Sequence, residues 1–242
     1  MHELIAQTNP QWHEILLTAL NSLDPTYVAQ LSVQADWLPG HQRIFAAFRQ
    51  PLSEVKYVLL GESPYPRAAS ANGFAFWDNA VKEIWSDKGL SKAVNRATSL
   101  RNLMKMLLVA RGDLQENCSQ AAIAALDKSP YWQTAEEFFN AMIRKGFLLL
   151  NASLVFRKGM VNEEARQWRP FLSCVLEALI VQRPEVAFIL LGKIASQLDV
   201  QSVSTSQGFK GLIAEHPYNL SFITNPNVLQ FFKPLHLLDR HE

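Results

Sequence analysis

The sequence predicts an α/β fold, a three-layer α/β/α sandwich around a central, mainly parallel four-stranded sheet. Four short apolar runs, Tyr57 to Leu60, Phe147 to Leu150, Val186 to Leu191 and about Gly211 to Ala214, carry that expectation, the first three as unbroken apolar stretches of the kind found in strands buried on both faces. Each run stops on glycine or polar residues: Gly61-Glu62-Ser63, Asn151, Gly192-Lys193, and Glu215-His216 just beyond the last. The intervening segments are long enough to cross over helically between parallel strands. Ligands of open α/β sheets bind at the carboxyl ends of the strands, so these four ends mark the candidate site.

A chain of 242 residues with 48% hydrophobic content suits a single domain spanning 1–242. No apolar run approaches the roughly 18 residues needed to span a bilayer. Met1 to Pro10 has no charged region leading into an apolar stretch, so the expectation is a cytoplasmic monomer without signal peptide or membrane association. Cys118 and Cys174 are far apart and lack CxxC or CxxH context, so they are read as buried, inert thiols, with neither a metal site nor a cofactor expected. The net charge of +1 is unevenly spread: Lys88, Lys92, Arg96, Arg101, Lys105 and Arg111 form a run with no acid. Such a run is either a solvated face or part of a nucleic-acid footprint.

Taken in order, Trp12, Ile15, Leu16 and Leu20 follow a helical stripe, and a second helix is expected around Gln42 to Phe48, ahead of Pro51. Beyond the first strand, Leu100, Leu103, Met104, Leu107 and Leu108 are spaced for a helix from about Ser99 to Arg111, with Thr98 and Ser99 where an N-cap belongs. Residues 113–133 read as a loop and short helix. A helix from about Thr134 to Lys145, stopped at Gly146, leads into the second strand. Trp168-Arg169-Pro170-Phe171 is expected to open the next helix, because proline is tolerated in a first turn. Asn227 to Leu238 forms a closing helix or irregular cap, weakened by Pro234.

Gly61-Glu62-Ser63-Pro64-Tyr65-Pro66, followed after a short spacer by Gly73-Phe74-Ala75-Phe76-Trp77, resembles the water-activating motif of the uracil-DNA glycosylases, usually Gly-Gln-Asp-Pro-Tyr-His and Gly-Leu-Ala-Phe-Ser. The resemblance extends to Asp36-Trp37-Leu38-Pro39-Gly40 before it, and to Leu148 to Leu154, Trp168 to Phe171 and His216-Pro217-Tyr218-Asn219-Leu220-Ser221 after it. It implies a protein that binds DNA, flips a uracil or related base into a pocket and hydrolyses its N-glycosidic bond. Asn151 then pairs with the polar edge of uracil, since an amide presents donor and acceptor side by side. Phe76 becomes a stacking floor and Tyr65 a wall that excludes the methyl group of thymine. His216 becomes a neutral donor to uracil O2, an oxyanion-hole role. Leu220 matches the wedge that fills the gap left by a flipped nucleotide, and is equally readable as an apolar anchor under a loop. Ser99 and Lys193 are read either as phosphate contacts or as a cap and a solvated lysine.

Two departures bear on catalysis: Ser63 stands in the place of the family's aspartate and Pro66 in that of its histidine. Glu62 is the candidate compensator, because Gly61-Glu62-Ser63-Pro64 is similar to the Gly-Glu-Ala-Pro-Gly loop of the iron-sulfur branch. Two cysteines cannot build that branch's four-cysteine cluster. The alternative reading is a catalytically inactive DNA-binding or protein-interaction module on the same fold. A small-molecule hydrolase is less well supported, as the chain has no G-x-S-x-G elbow.

Overall fold

The structure is a computed structural model in which residues 1–194 and 208–240 are described. In chain order its elements are α1 (His2–Ile5), α2 (His13–Asn21), α3 (Pro25–Val33), β1 (Tyr57–Gly61), β2 (Trp85–Ser86), β3 (Gly89–Leu90), α4 (Lys92–Arg96), α5 (Thr98–Arg111), α6 (Gln120–Ala124), α7 (Ala135–Arg144), β4 (Phe147–Asn151), α8 (Val161–Gln182), β5 (Ala187–Leu191), β6 (Gly211–Ala214) and α9 (Pro226–Phe232). The four expected strands form one parallel sheet in the order β4-β1-β5-β6, each within a residue of its predicted bounds. The β2–β3 hairpin was not anticipated from the sequence.

Alternation along the strands creates the three layers. Val58, Leu60, Leu148, Leu150, Phe188 and Leu190 face a core shared with α2, α3 and α8, whereas Leu59, Leu149, Ile189 and Leu191 face a second core shared with α5, α7 and α9. Both faces of β1, β4 and β5 are covered, which is why those strands are apolar throughout, whereas β6 leaves Ile213 exposed. Helix α7 is set by its ends: the Thr134 side chain accepts from the Glu137 N–H, and the Glu137 carboxylate accepts from the Thr134 N–H. Such a capping box stabilises a helix by about 1 kcal/mol. Among the described residues, no helix is long and apolar enough to cross a membrane.

The structure corrects several local expectations. Residues 42–48 form no α-helix but parts of two 3-10 turns, His41–Arg43 and Ala46–Arg49. Ile44 to Phe48 are all buried, with Phe48 against Trp12 and Phe45 against Phe171, and a short segment apolar on every side has no solvent face for a longer helix to present. The N-cap of α5 is Ala97 rather than Thr98 or Ser99, and no side chain caps it, because α4 ends immediately before it. Trp168 lies inside α8, which starts at Val161 and carries Pro170 in its interior. The buried stripe of Glu164, Trp168, Phe171, Leu172, Val175 and Leu176 holds the helix together, while Pro170 and its would-be partner Arg166 are exposed, so water can serve the orphaned carbonyl. Cys118 and Cys174 are free but only partly buried, and burial pushes both thiols up.

One buried polar cluster ties α3 to α8. Glu164 is fully buried and accepts from the Tyr27 hydroxyl and from Arg157 Nε, while Trp168 Nε1 donates to Tyr27 Oη at 2.7 Å.

An exposed proline in a helix interior costs about 3 kcal/mol relative to alanine, partly offset by its restriction of the unfolded chain. Pro170→Ala is therefore expected to stabilise the protein by about 2 kcal/mol, read as a higher urea midpoint at unchanged slope. A lower midpoint would show that Pro170 itself is required for packing.

Candidate functional site

The carboxyl ends of β1, β4 and β5 and the loop after β6 surround a cavity of about 240 Å³. Glu62, Ser63, Tyr65, Phe76, Ser99, Asn151 and His216 all line it, with Pro64, Pro66, Leu191, Ile194 and Phe156. Seven of the nine residues singled out in the sequence thus meet in one place. Lys193 and Leu220 do not line it. Lys193 is exposed at the end of β5, and Leu220 is 70% exposed on the loop beyond His216.

Sheet register does the first part of the positioning. Gly61 lies directly opposite Asn151, and a Cβ at residue 61 would stand 2.6 Å from Asn151 Oδ1 and 2.9 Å from Ala75 Cβ. Glycine is required there for close approach. The ladder continues past the strands: the Ala152 N–H donates to Gly61 O at 2.8 Å, the Ser153 N–H to Glu62 O at 3.0 Å, and the Ala75 N–H to Leu149 O at 3.0 Å. Both halves of the motif are therefore stitched to β4 and its continuation. Asn151 is 3% exposed, and among the described residues its side-chain amide has no hydrogen-bond partner, leaving donor and acceptor available to a ligand.

Phe76 is held at φ +63°, a conformation that side chains rarely adopt. Such strain costs about 1–3 kcal/mol and persists only where the surroundings enforce it. The Tyr65 hydroxyl supplies part of that enforcement by donating to Phe76 O at 3.2 Å. Burial pushes the Tyr65 hydroxyl well above its usual range, with the Asp78 charge adding to the effect, so it remains a protonated donor.

His216 stacks on Phe76, with ring centroids 6.0 Å apart and planes 26° from parallel. Its approach depends on Gly192, at φ +65°, where a Cβ would stand 2.6 Å from His216 Cβ. The Tyr218 N–H donates to His216 Nδ1 at 3.0 Å. That bond makes Nδ1 the acceptor, so the neutral ring carries its proton on Nε2. Burial holds the His216 pKa below its ordinary value of 6.5, opposed by the charge of Glu62. The result is a neutral imidazole with a donor, next to a carboxylate.

Asn102 was not identified from the sequence. It is fully buried in α5, and its Nδ2 donates to Pro217 O at 2.7 Å, with Tyr218 O at 3.4 Å and Asn219 O at 3.5 Å also in reach. A polar residue between Leu100 and Leu103 was the available signal. Phe156 was missed for a different reason: it follows β4 by five residues, in a loop with no periodicity to read.

The cationic run does not form one patch. Lys92 and Arg96 are exposed on α4, but Arg111 pairs with Asp113 at 2.8 Å and Asp239 at 2.6 Å. It stands roughly 18 Å along α5 from the cavity-lining Ser99. Among the described residues, no cluster of His, Cys, Asp or Glu could hold a metal ion.

The family model described as the Uracil DNA glycosylase superfamily matches residues 49–235. The chain belongs to this superfamily. The uracil-DNA glycosylase of Chlamydia trachomatis serovar L2b is 29% identical over 233 residues, covering 91% of this chain and 86% of the relative. That of a Nocardioides species is 27% identical over 171 residues, which is 70% of this chain but 61% of the relative, so the match spans less than two thirds of that protein. Among solved structures, the UNG of Nitratifractor salsuginis superposes with a TM-score of 0.90 at 40% identity, over 98% of this chain and 96% of the other. Mimivirus uracil-DNA glycosylase superposes at 0.58 with 16% identity over 90% of this chain and 71% of the other, a likeness of fold alone. The three-layer fold with its parallel four-stranded sheet is thus that of the superfamily.

The electrostatics of this superfamily member yield a direct expectation. In a nitrogen-detected NMR titration, His216 should stay neutral to lower pH than an exposed histidine, with its proton on Nε2. Glu62→Gln should lower the His216 pKa further, because the carboxylate is the one influence raising it. An unchanged or higher value in that variant would show that the two groups do not interact.

Proposed function

We propose that this protein is a DNA glycosylase that takes an extruded uracil into the strand-end cavity and hydrolyses its N-glycosidic bond, with Glu62 in the electrostatic role of the family's aspartate. One observation carries the reading: a buried amide without a partner among the described residues, an aromatic face and a neutral imidazole donor line one cavity. That set matches a planar base with an amide-like edge that gains negative charge on leaving. The names of the relatives support the same substrate class.

In the proposed reaction the bond from the sugar C1′ to uracil N1 breaks and its electron pair leaves with the base. The charge spreads to O2, where His216 Nε2–H donates. A preorganised donor of this kind contributes about 3–4 kcal/mol to such a step. Asn151 holds the base by accepting from N3–H and donating to O4, Phe76 stacks beneath it, and Tyr65 occupies the space that the C5 methyl of thymine would need. The sugar is left cationic. Glu62 supplies the opposing charge and accepts the proton of the water that adds to C1′, with Ser63 helping to hold that water. A serine alone brings no charge, so the reaction is expected to be slow. Ser99, in the first turn of α5, and Lys193 are assigned to phosphates flanking the extruded nucleotide, and Leu220 to the gap it leaves.

The test combines single-turnover uracil release with equilibrium binding on the same single-stranded and mismatched duplex oligonucleotides. Glu62→Gln is expected to abolish release while leaving binding nearly intact, and Ser63→Asp to raise release. A Glu62→Gln protein as active as the parent would remove Glu62 from the chemistry. Binding by the parent without any release would establish the non-catalytic module instead.

Base recognition is tested separately. Asn151→Asp loses the donor to O4 and should weaken discrimination for uracil about ten- to hundredfold, the range for one buried hydrogen bond. Tyr65→Ala should admit thymine. Unchanged base preference in both variants would show that these residues do not form the base pocket.

A further inference from the structure

Tyr218 is the one aromatic side chain among the described residues that stands exposed, with 67% of its surface in solvent. Its backbone is pinned by hydrogen bonds on both sides. Pro217 beside it is buried, Asn102 Nδ2 donates to the carbonyls of Pro217 and Tyr218, and the Asn219 N–H donates to His216 O at 2.9 Å. The Tyr218 N–H is itself the donor that sets the His216 tautomer. A rigid loop that lines the cavity through His216 therefore presents an aromatic ring to solvent two residues later, with the 70% exposed Leu220 two residues beyond.

We propose that Tyr218 is a stacking platform for the nucleobase adjacent to the extruded one, an inference that rests on the reading of the cavity as a base pocket. Reach identifies the occupant. Two residues of chain span at most about 7 Å, and bases along a stacked strand repeat every ~3.4 Å, so the flanking base is the part of the substrate that the ring can meet. Extruding one base strips a stacking partner from its neighbour, and the tyrosine ring replaces it. Leucine has no π face and cannot substitute in this role. Because the backbone beneath the ring is already pinned, only the side-chain torsions are fixed on binding. Stacking is also indifferent to base identity, so it adds affinity without adding sequence preference. The gain is largest on single-stranded DNA, where no complementary strand keeps the flanking base stacked.

The experiment uses the full chain and a single-stranded oligonucleotide carrying a non-hydrolysable 2′-fluoro-deoxyuridine, with the fluorescent adenine analogue 2-aminopurine placed immediately 5′ or 3′ of it. The parent and Tyr218→Phe are expected to quench the analogue at one of the two positions. Tyr218→Ser should lose the quench and bind about five- to hundredfold more weakly, the range for one base–aromatic stack. Leu220→Ala should keep the quench. Equal affinity and equal quenching by Tyr218→Ser and the parent would overturn this inference while leaving the base pocket intact. Failure of the parent to bind the uracil analogue would overturn the pocket reading, and the platform with it.

Discussion

The site exists because the backbone at the end of β1 passes so close to the Asn151 side chain and to Ala75 that only a hydrogen atom fits there. Gly61 opposite Asn151 follows from the parallel register, and everything chemical is arranged around it. With that approach, the loop carrying Glu62 and Ser63 can lie against the continuation of β4, and the segment carrying Phe76 can bond to Leu149. The same device recurs at Gly192, where the missing side chain leaves room for His216. Two glycines at neighbouring strand ends thus decide how near an amide and an imidazole stand to one another.

What the sheet leaves loose is fixed by polar groups that never touch the cavity. Asn102 donates to the Pro217 carbonyl of the His216 loop from α5, with the Tyr218 and Asn219 carbonyls also in reach, and Glu164 locks α3 to α8 in the first core. Each is fully buried and satisfied, so losing either partner would strand a polar group without water. The stability of the loop and the preorganisation of the imidazole donor are consequently one property, drawn from a side chain outside the site.

The strands were legible because burial on both faces writes itself as unbroken apolar runs, and the strand ends because polar residues interrupt them abruptly. Asn151 and His216 are placed at strand ends in this way by the sequence alone. Helix limits were harder to read. Pro170 looked like a first-turn residue, yet a long buried stripe carries α8 through it, and the apolar stretch 44–48 looked helical although packing on all sides breaks it into turns. Backbone strain at Phe76 leaves no mark in the residue type, and the role of Asn102 depends on a loop 115 residues away. Local pattern reports what is buried, whereas these contacts depend on which surfaces meet.

The bond from the Tyr65 hydroxyl to the Phe76 carbonyl ties the choice of base to the quality of the floor beneath it. A wall residue that also braces a strained backbone cannot be exchanged for one purpose alone. Any lineage that shortened residue 65 to take larger bases would slacken the aromatic floor in the same step, and so widen its diet while blunting its tool. Recovering speed would then require a second substitution to rebuild the brace, and the order of those two changes is constrained by the fold before selection acts on either.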